Sequence, residues 1–270
     1  MKKLIALCLS LVLIGCAALA TAETTYANIL EKVKGEGKLV MGTSPDYAPY
    51  EFVDPTKTGQ EQYVGADITL AKYIADYLGV ELVIEPLGFD PMLAAVGMGT
   101  IDLALAGMVP KEERLTAMDF TSIYYSDGDQ VILIQADKAD TYTSLASFAG
   151  KTVAGQNGSL QMDMITTQLL ETTPQPFVDI RMAVNMLMTG KIEGVALASV
   201  VAEQYVANYP DALAICAEKF AYESLGVVGA VPKGETEWLA AVNEAIDKVI
   251  EEGLYYTWID EANALQNSLQ

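Results

Sequence analysis

Arg114 is the residue best placed to act on a small ligand. It follows the run Gly99-Thr100-Ile101-Asp102-Leu103-Ala104-Leu105-Ala106-Gly107-Met108-Val109-Pro110-Lys111-Glu112-Glu113. A guanidinium stays charged at physiological pH and grips a carboxylate through two parallel hydrogen bonds, a geometry lysine cannot reproduce. The same stretch also suits a surface helix on which Glu112, Glu113 and Arg114 face water, and these residues alone leave both readings open. Other chemistries are poorly provided for. The chain has no histidine, which excludes Ser-His triads, histidine-type zinc sites and imidazole acid/base work. Asp46, Glu51, Glu85 and Glu223 are scattered acids that form no tight acid/base constellation. Of the three cysteines, Cys8 and Cys16 fall in an apolar N-terminal segment. Cys216, within Ala212-Leu213-Ala214-Ile215-Cys216-Ala217, reads as an inert thiol on a buried strand. Neither a metal nor a cofactor is expected.

The elements that must position Arg114 are legible around it. Ile101 to Ala106 is an apolar run too short for a helix and bounded by Gly99 and Gly107, so it predicts a buried strand. Gly107 lets the backbone come close to what lies beyond, and Pro110 with Lys111 to Arg114 predicts a helical start. A side chain just past the carboxyl end of such a strand points into the crevice where open α/β sheets bind ligands. Upstream, Gly37 to Gly42 reads as a strand and Ile68, Ala71, Ile74, Ala75 and Leu78 share one helical face ended by Gly79. Val80, Leu82 and Ile84 alternate as a strand, and Asp90-Pro91 caps a helix through Val96. This β-α-β-α-β order predicts a parallel sheet covered by helices. The second half repeats it. Gly150-Lys151-Thr152-Val153-Ala154-Gly155 echoes Gly37 to Gly42 as G-K-x-V-x-G, and Gly190-Lys191-Ile192-Glu193 echoes Gly99 to Asp102 as G-x-I-acid, in the same order. Two similar α/β lobes follow. Tyr124 to Asp129 and Tyr222 to Gly226 are polar crossing segments, and two crossings would make a hinge.

Met1-Lys2-Lys3 followed by the apolar run Leu4 to Leu19 has the form of a secretory leader. Two processing signals overlap in it: Leu13-Ile14-Gly15-Cys16 fits a lipobox, with Cys16 lipidated, and Ala20-Thr21-Ala22 fits ordinary cleavage. The expected product is exported, as a cell-membrane lipoprotein or a periplasmic protein. The formal charge of −20 argues against a nucleic-acid partner, which needs a basic face.

Several motifs together carry a family resemblance: G-T-S-P-D-Y-A-P-Y-E-F at Gly42 to Phe52, V-G-A-D-I-T-L-A at Val64 to Ala71, and G-x-I-D…A-G-M…E-R…D-F at Gly99 to Phe120. G-K-T-V-A-G-Q-N-G-S at Gly150 to Ser159 and E-G-L-Y at Glu252 to Tyr255 also match. From about Leu39 to the C-terminus the chain resembles the extracytoplasmic solute-binding proteins of ABC-type importers for polar amino acids (bacterial solute-binding protein family 3). The resemblance implies the class II periplasmic-binding-protein fold, two α/β lobes on a two-segment hinge. Residues 1–22 would be leader, 23–126 the first part of lobe I, 127–225 lobe II, and 226–270 the part returning to lobe I. It implies that Arg114 clamps the ligand α-carboxylate, that backbone groups of Ala106, Gly107 and Val109 meet the ligand, and that Tyr47 and Phe89 sandwich its side chain. Ser159, Leu160 and Gln161, at a helix start, would offer N–H groups to the same carboxylate. Asp46 beside Tyr47 would serve a polar or basic end group. Three positions depart from the family. Val109 and Leu160 replace hydroxyl residues, and Ser199 stands where an aspartate takes the ligand amine, or caps the helix from Val200 to Asn208. The expected function is non-catalytic delivery of a polar or basic L-amino acid to a membrane permease by a monomer. Extracytoplasmic dehydratases share the scaffold, and the missing acid leaves such an enzyme, acting on a small carboxylate, as the alternative.

Overall fold

The structure, a computed structural model, describes residues 25–126 and 128–269. The expected leader, with its two processing signals and Cys16, lies outside the described residues, as does Asp127. The first part of the chain forms helix α1 (Ile29–Glu36), strand β1 (Lys38–Thr43), the short strands β2 (Phe52–Val53) and β3 (Tyr63–Val64), α2 (Ala66–Leu78), β4 (Glu81–Pro86), α3 (Phe89–Gly97), β5 (Leu103–Ala104) and β6 (Met118–Phe120). Then come β7 (Gln130–Gln135), β8 (Thr152–Gln156), α4 (Leu160–Gln168), β9 (Thr173–Phe177), α5 (Ile180–Met188), β10 (Gly194–Ala198), α6 (Ser199–Asn208) and β11 (Leu213–Ile215). The chain returns with β12 (Ala230–Pro232), α7 (Thr236–Glu251) and α8 (Leu254–Ser268).

Two five-stranded sheets result, ordered β4-β1-β5-β12-β6 and β9-β8-β10-β7-β11. The orders are equivalent strand for strand. In the first, β12 runs antiparallel to both β5 and β6; in the second, β7 runs antiparallel to both β10 and β11. Each antiparallel strand follows a crossing from the other lobe, so each sheet is completed by chain that has just changed lobes. The crossings lie side by side: Tyr125 and Val227 form an antiparallel bridge, with the Val227 N–H donating to the Tyr125 carbonyl at 2.8 Å. Gly226 sits there at φ +78, and a Cβ on it would stand 2.3 Å from Ile123, so no larger residue fits this approach.

The G-x-I-acid echo marks equivalent places. Asp102 accepts the Val40 N–H at 2.9 Å, and Glu193 accepts the Thr152 N–H at 2.8 Å. Each acid ties its lobe's first strand to the start of its central strand. With these acids superposed, Met41, beside Leu103, takes the place of Val153, beside Gly194. The G-K-x-V-x-G echo is therefore one residue out of structural register, and it marks the loop entering each first strand.

Local expectations need correction. The strand read as Ile101 to Ala106 is a ladder only at Leu103–Ala104, although the whole run is buried; the backbone leaves the sheet at Leu105 to form the loop bordering the cleft. The helical start at Lys111 is a 3-10 turn, Glu112–Thr116, because the chain must enter β6 at Met118. Helix α3 opens at Phe89 with Gly88 as its N-cap, and Asp90 turns away to accept from Asn157 of the other lobe at 3.2 Å. Cys216 falls one residue past β11, buried and unpaired.

Candidate ligand site between the lobes

The 3-10 turn delivers Arg114 into the cleft, where it is only 8% exposed. Its Nη1 donates to the Val109 carbonyl at 3.2 Å and its Nη2 donates across the cleft to the Gly158 carbonyl at 2.8 Å. The guanidinium carbon lies 5.4 Å from the centre of the Phe89 ring, a cation–π distance. Burial pulls the Arg114 pKa down to about 10, partly offset by the more distant Glu113, Asp163 and Asp90, so it remains a cation at neutral pH. Among the described residues it forms no ion pair. A buried cation whose neighbours are neutral carbonyls and an aromatic ring is left to be neutralised by an anion.

Opposite it, β8 ends at Gln156 and the chain turns through Gly158 into α4. Ser159 caps that helix, its Oγ accepting from the Met162 N–H at 3.2 Å. The first-turn amides of Leu160 and Gln161 have no acceptor within the helix and carry the positive end of its dipole. Tyr47, Phe89, Ala106, Gly107, Val109, Arg114, Ser159, Leu160 and Gln161 line one cavity, together with Met108, Gln130, Gln156 and Ala198. The Tyr47 hydroxyl reaches across the lobes to accept the Ala198 N–H at 3.0 Å.

Asp46 and Ser199 are not among the residues that line this cavity. Asp46 is buried between the lobes, where Ile180 N–H donates to it at 2.6 Å, Ser44 Oγ at 2.8 Å, and Gln156 Nε2 at 3.2 Å to each carboxylate oxygen. Ser199 begins α6 but does not cap it; the cap position belongs to Ala198, with no side-chain bond. The Ser199 N–H donates to the Asp129 carbonyl at 2.8 Å, and a Cβ on Gly128 would stand 2.8 Å from its Oγ. The hydroxyl thus faces the crossing segment.

Beneath the cleft lies a group the sequence did not disclose. Asp67 accepts the Gly107 N–H at 2.7 Å, the Tyr255 hydroxyl at 2.6 Å and the Tyr124 hydroxyl at 3.0 Å. Gly107 holds φ +54, and a Cβ on it would meet the Tyr50 ring at 2.8 Å, so Asp67 pins a loop only glycine can complete. Glu51 is fully buried beside Asp67, and no N–H donor reaches either of its oxygens. Burial first, then the neighbouring Asp67 and Asp46, hold its carboxyl well above the usual range. Burial also raises the Asp67 carboxyl, while the Gly107 N–H and the Tyr255 and Tyr124 hydroxyls oppose this.

Residues 39–261 match the profile of the bacterial extracellular solute-binding proteins, family 3. The chain belongs to that family. The arginine-binding extracellular protein ArtP of Bacillus subtilis (strain 168) is 33% identical over 165 residues, 60% of this chain and 58% of that protein, so the match spans under two thirds of that relative. The L-cystine-binding protein TcyJ of Escherichia coli (strain K12) is 27% identical over 237 residues, covering 88% of this chain and 86% of TcyJ. The crystal structure of AbpA, an amino acid ABC transporter substrate-binding protein of Streptococcus pneumoniae bound to L-arginine, is 34% identical with a TM-score of 0.82. That likeness covers 87% of this chain and 98% of AbpA.

Within this family 3 protein, Asp46 is expected to make folding stability depend on pH. Burial is the main cause that pushes its pKa up to about 6, and Asp179 adds to it; the Ile180 N–H, Ser44 and Arg181 pull the other way. The value is raised, so Asp46 contributes fully below the water value near pH 4, and the contribution is lost as pH rises through about 6. The Asp46→Asn variant keeps an acceptor for Ile180 without the charge. In urea unfolding it is expected to gain on the wild type by roughly 1–1.5 kcal/mol between pH 5 and pH 7.5. Parallel pH profiles for the two proteins would remove Asp46 as the cause.

Proposed function

We propose that this chain is the extracytoplasmic substrate-binding component of an ABC-type amino-acid importer, closing its two lobes on a polar or basic L-amino acid and delivering it, as a monomer, to a membrane permease. The observation that carries this reading is Arg114: buried, unpaired with any carboxylate among the described residues, and facing the first turn of α4 across the cleft. Both the cation and the helix start favour one carboxylate. Names of the relatives, which bind arginine or cystine, support an amino-acid ligand. A non-catalytic role is supported by the relatives, which are named as binding proteins of amino-acid transporters or of amino acids. Hinge motion would divide the chain into 23–126 with 226–270 as one lobe and 127–225 as the other. Calorimetric titration with the common L-amino acids tests the function, with small-angle scattering on the same samples. Saturable binding with compaction is expected; the absence of any amino-acid ligand would overturn it.

Export is part of the same proposal. Cys16 is proposed to be the lipidated N-terminus. Intact mass of the protein from its native host should show a diacylated or triacylated Cys16, whereas an unmodified chain starting at Glu23 would identify a free extracytoplasmic form.

A further inference from the structure

We infer that the amino acid bound here carries an uncharged polar side chain, read by the carboxamides of Gln130, Gln156 and Gln161, and that the site disfavours the guanidinium and ammonium side chains of basic amino acids. The inference rests on the amino-acid-binding reading above and narrows it. Charge is the first reason. Arg114 is the single ionic residue in the cavity lining, and an α-carboxylate neutralises it. The α-ammonium of any amino acid already brings one positive charge with no acid in the lining to meet it, and a cationic side chain would add another. An anionic side chain is no better served, because Lys111, at the rim, is already paired with Glu113 at 2.7 Å and with Asp163 across the cleft.

The second reason is the state of Asp46, the acid adjacent to the site. Its Oδ1 accepts from Ser44 Oγ and Gln156 Nε2, and its Oδ2 accepts from the Ile180 N–H and Gln156 Nε2. Two acceptor contacts on each oxygen use the capacity of a carboxylate. Asp46 is therefore committed to holding lobe II, and it is absent from the cavity lining. A carboxylate only accepts, so Gln156 must turn its amide nitrogen toward Asp46, which sets its Oε1 on the opposite side. Gln156 lines the cavity, so that carbonyl is the group it offers a ligand. Gln161 donates to Gln130 Oε1 at 2.6 Å, which orients a second carboxamide the same way. Neutral carbonyl acceptors suit amide, urea or hydroxyl donors, and they supply none of the charge that would offset the desolvation of a guanidinium.

L-arginine and L-citrulline differ by guanidinium against urea at nearly the same shape, so this pair isolates the charge. Calorimetric titration of the wild type at pH 7.5 with L-citrulline, L-glutamine, L-arginine, L-lysine and L-glutamate is the test. Citrulline or glutamine is expected to bind about tenfold or more tightly than any charged member. A charged member that binds as tightly as both overturns the inference while leaving the amino-acid function standing. Failure of every L-amino acid to bind takes down the function itself, and the inference with it. Gln156→Glu places an acid in the lining and is expected to shift the arginine-to-citrulline affinity ratio about tenfold toward arginine; an unchanged ratio would remove Gln156 from the reading of the side chain. Should that variant fail to fold, the wild-type series decides alone.

Discussion

Replacing Arg114 with lysine is expected to cost on the order of 2–5 kcal/mol of ligand binding, as for truncation of a buried charge pair, while the protein stays folded. A lysine ammonium keeps the charge but offers no planar fork, so it cannot hold a carboxylate bidentately while reaching the Val109 and Gly158 carbonyls that Arg114 bridges. Its greater hydration also makes burial against Phe89 less favourable. The fold should survive because Arg114 leans on neutral carbonyls and an aromatic face, with no carboxylate partner left stranded by the change. Calorimetry gives the affinity and circular dichroism the fold. A loss smaller than about tenfold, roughly 1.4 kcal/mol, in a folded variant would mean that the carboxylate is held chiefly by the α4 amides.

A second large effect belongs to a residue that touches no ligand. Asp67→Ala is expected to destabilise the protein by about 3–5 kcal/mol, at the high end for one substitution. Three donors lose their acceptor at once: the Gly107 N–H and the hydroxyls of Tyr124 and Tyr255. Each buried unsatisfied group costs about 1–3 kcal/mol, with relaxation making the sum less than additive. The urea midpoint is the measurement, and binding should weaken with it because the Ala106 to Val109 loop loses its anchor. A stability change below about 1 kcal/mol would show that water or Glu51 takes over the acceptor role, and would sink the claim that Asp67 fixes this loop.

Arg114 was legible in the sequence because its surroundings are local: the buried run, Gly107 and the turn all lie within the preceding residues. The fold was legible for a related reason, since each lobe writes the same β-α-β-α-β order. What escaped were groups defined by distant partners. Asp46 reads as a ligand-facing acid beside Tyr47, yet its shortest hydrogen bond comes from Ile180, 134 positions away. Asp67 meets Tyr124 and Tyr255 at separations of 57 and 188, and no spacing rule links them. Gln130 and Gln156 carry no local signal of a site; Gln130 opens β7 and Gln156 ends β8, and only the fold brings both to the cleft cavity. Ser199 suits a cap by residue type, but the turn before α6 puts Ala198 there instead.

The position of β12 has a consequence for how the chain acquires its shape. It lies between β5 and β6, so the first sheet has a gap in its interior until residues 230–232 are available. Lobe II has no such gap, since its strands run from 130 to 215 without interruption. A chain emerging N-terminus first, from a ribosome or a translocation pore, would therefore complete the later lobe before the earlier one, reversing the usual vectorial order. The half carrying Arg114 would stay unfinished until nearly all of the chain had passed, a delay suited to a protein that must remain threadable during export. Pulsed hydrogen exchange during refolding should show β8 and β10 protected before β1 and β5; the opposite order would mean that lobe I gains a stable sheet without β12.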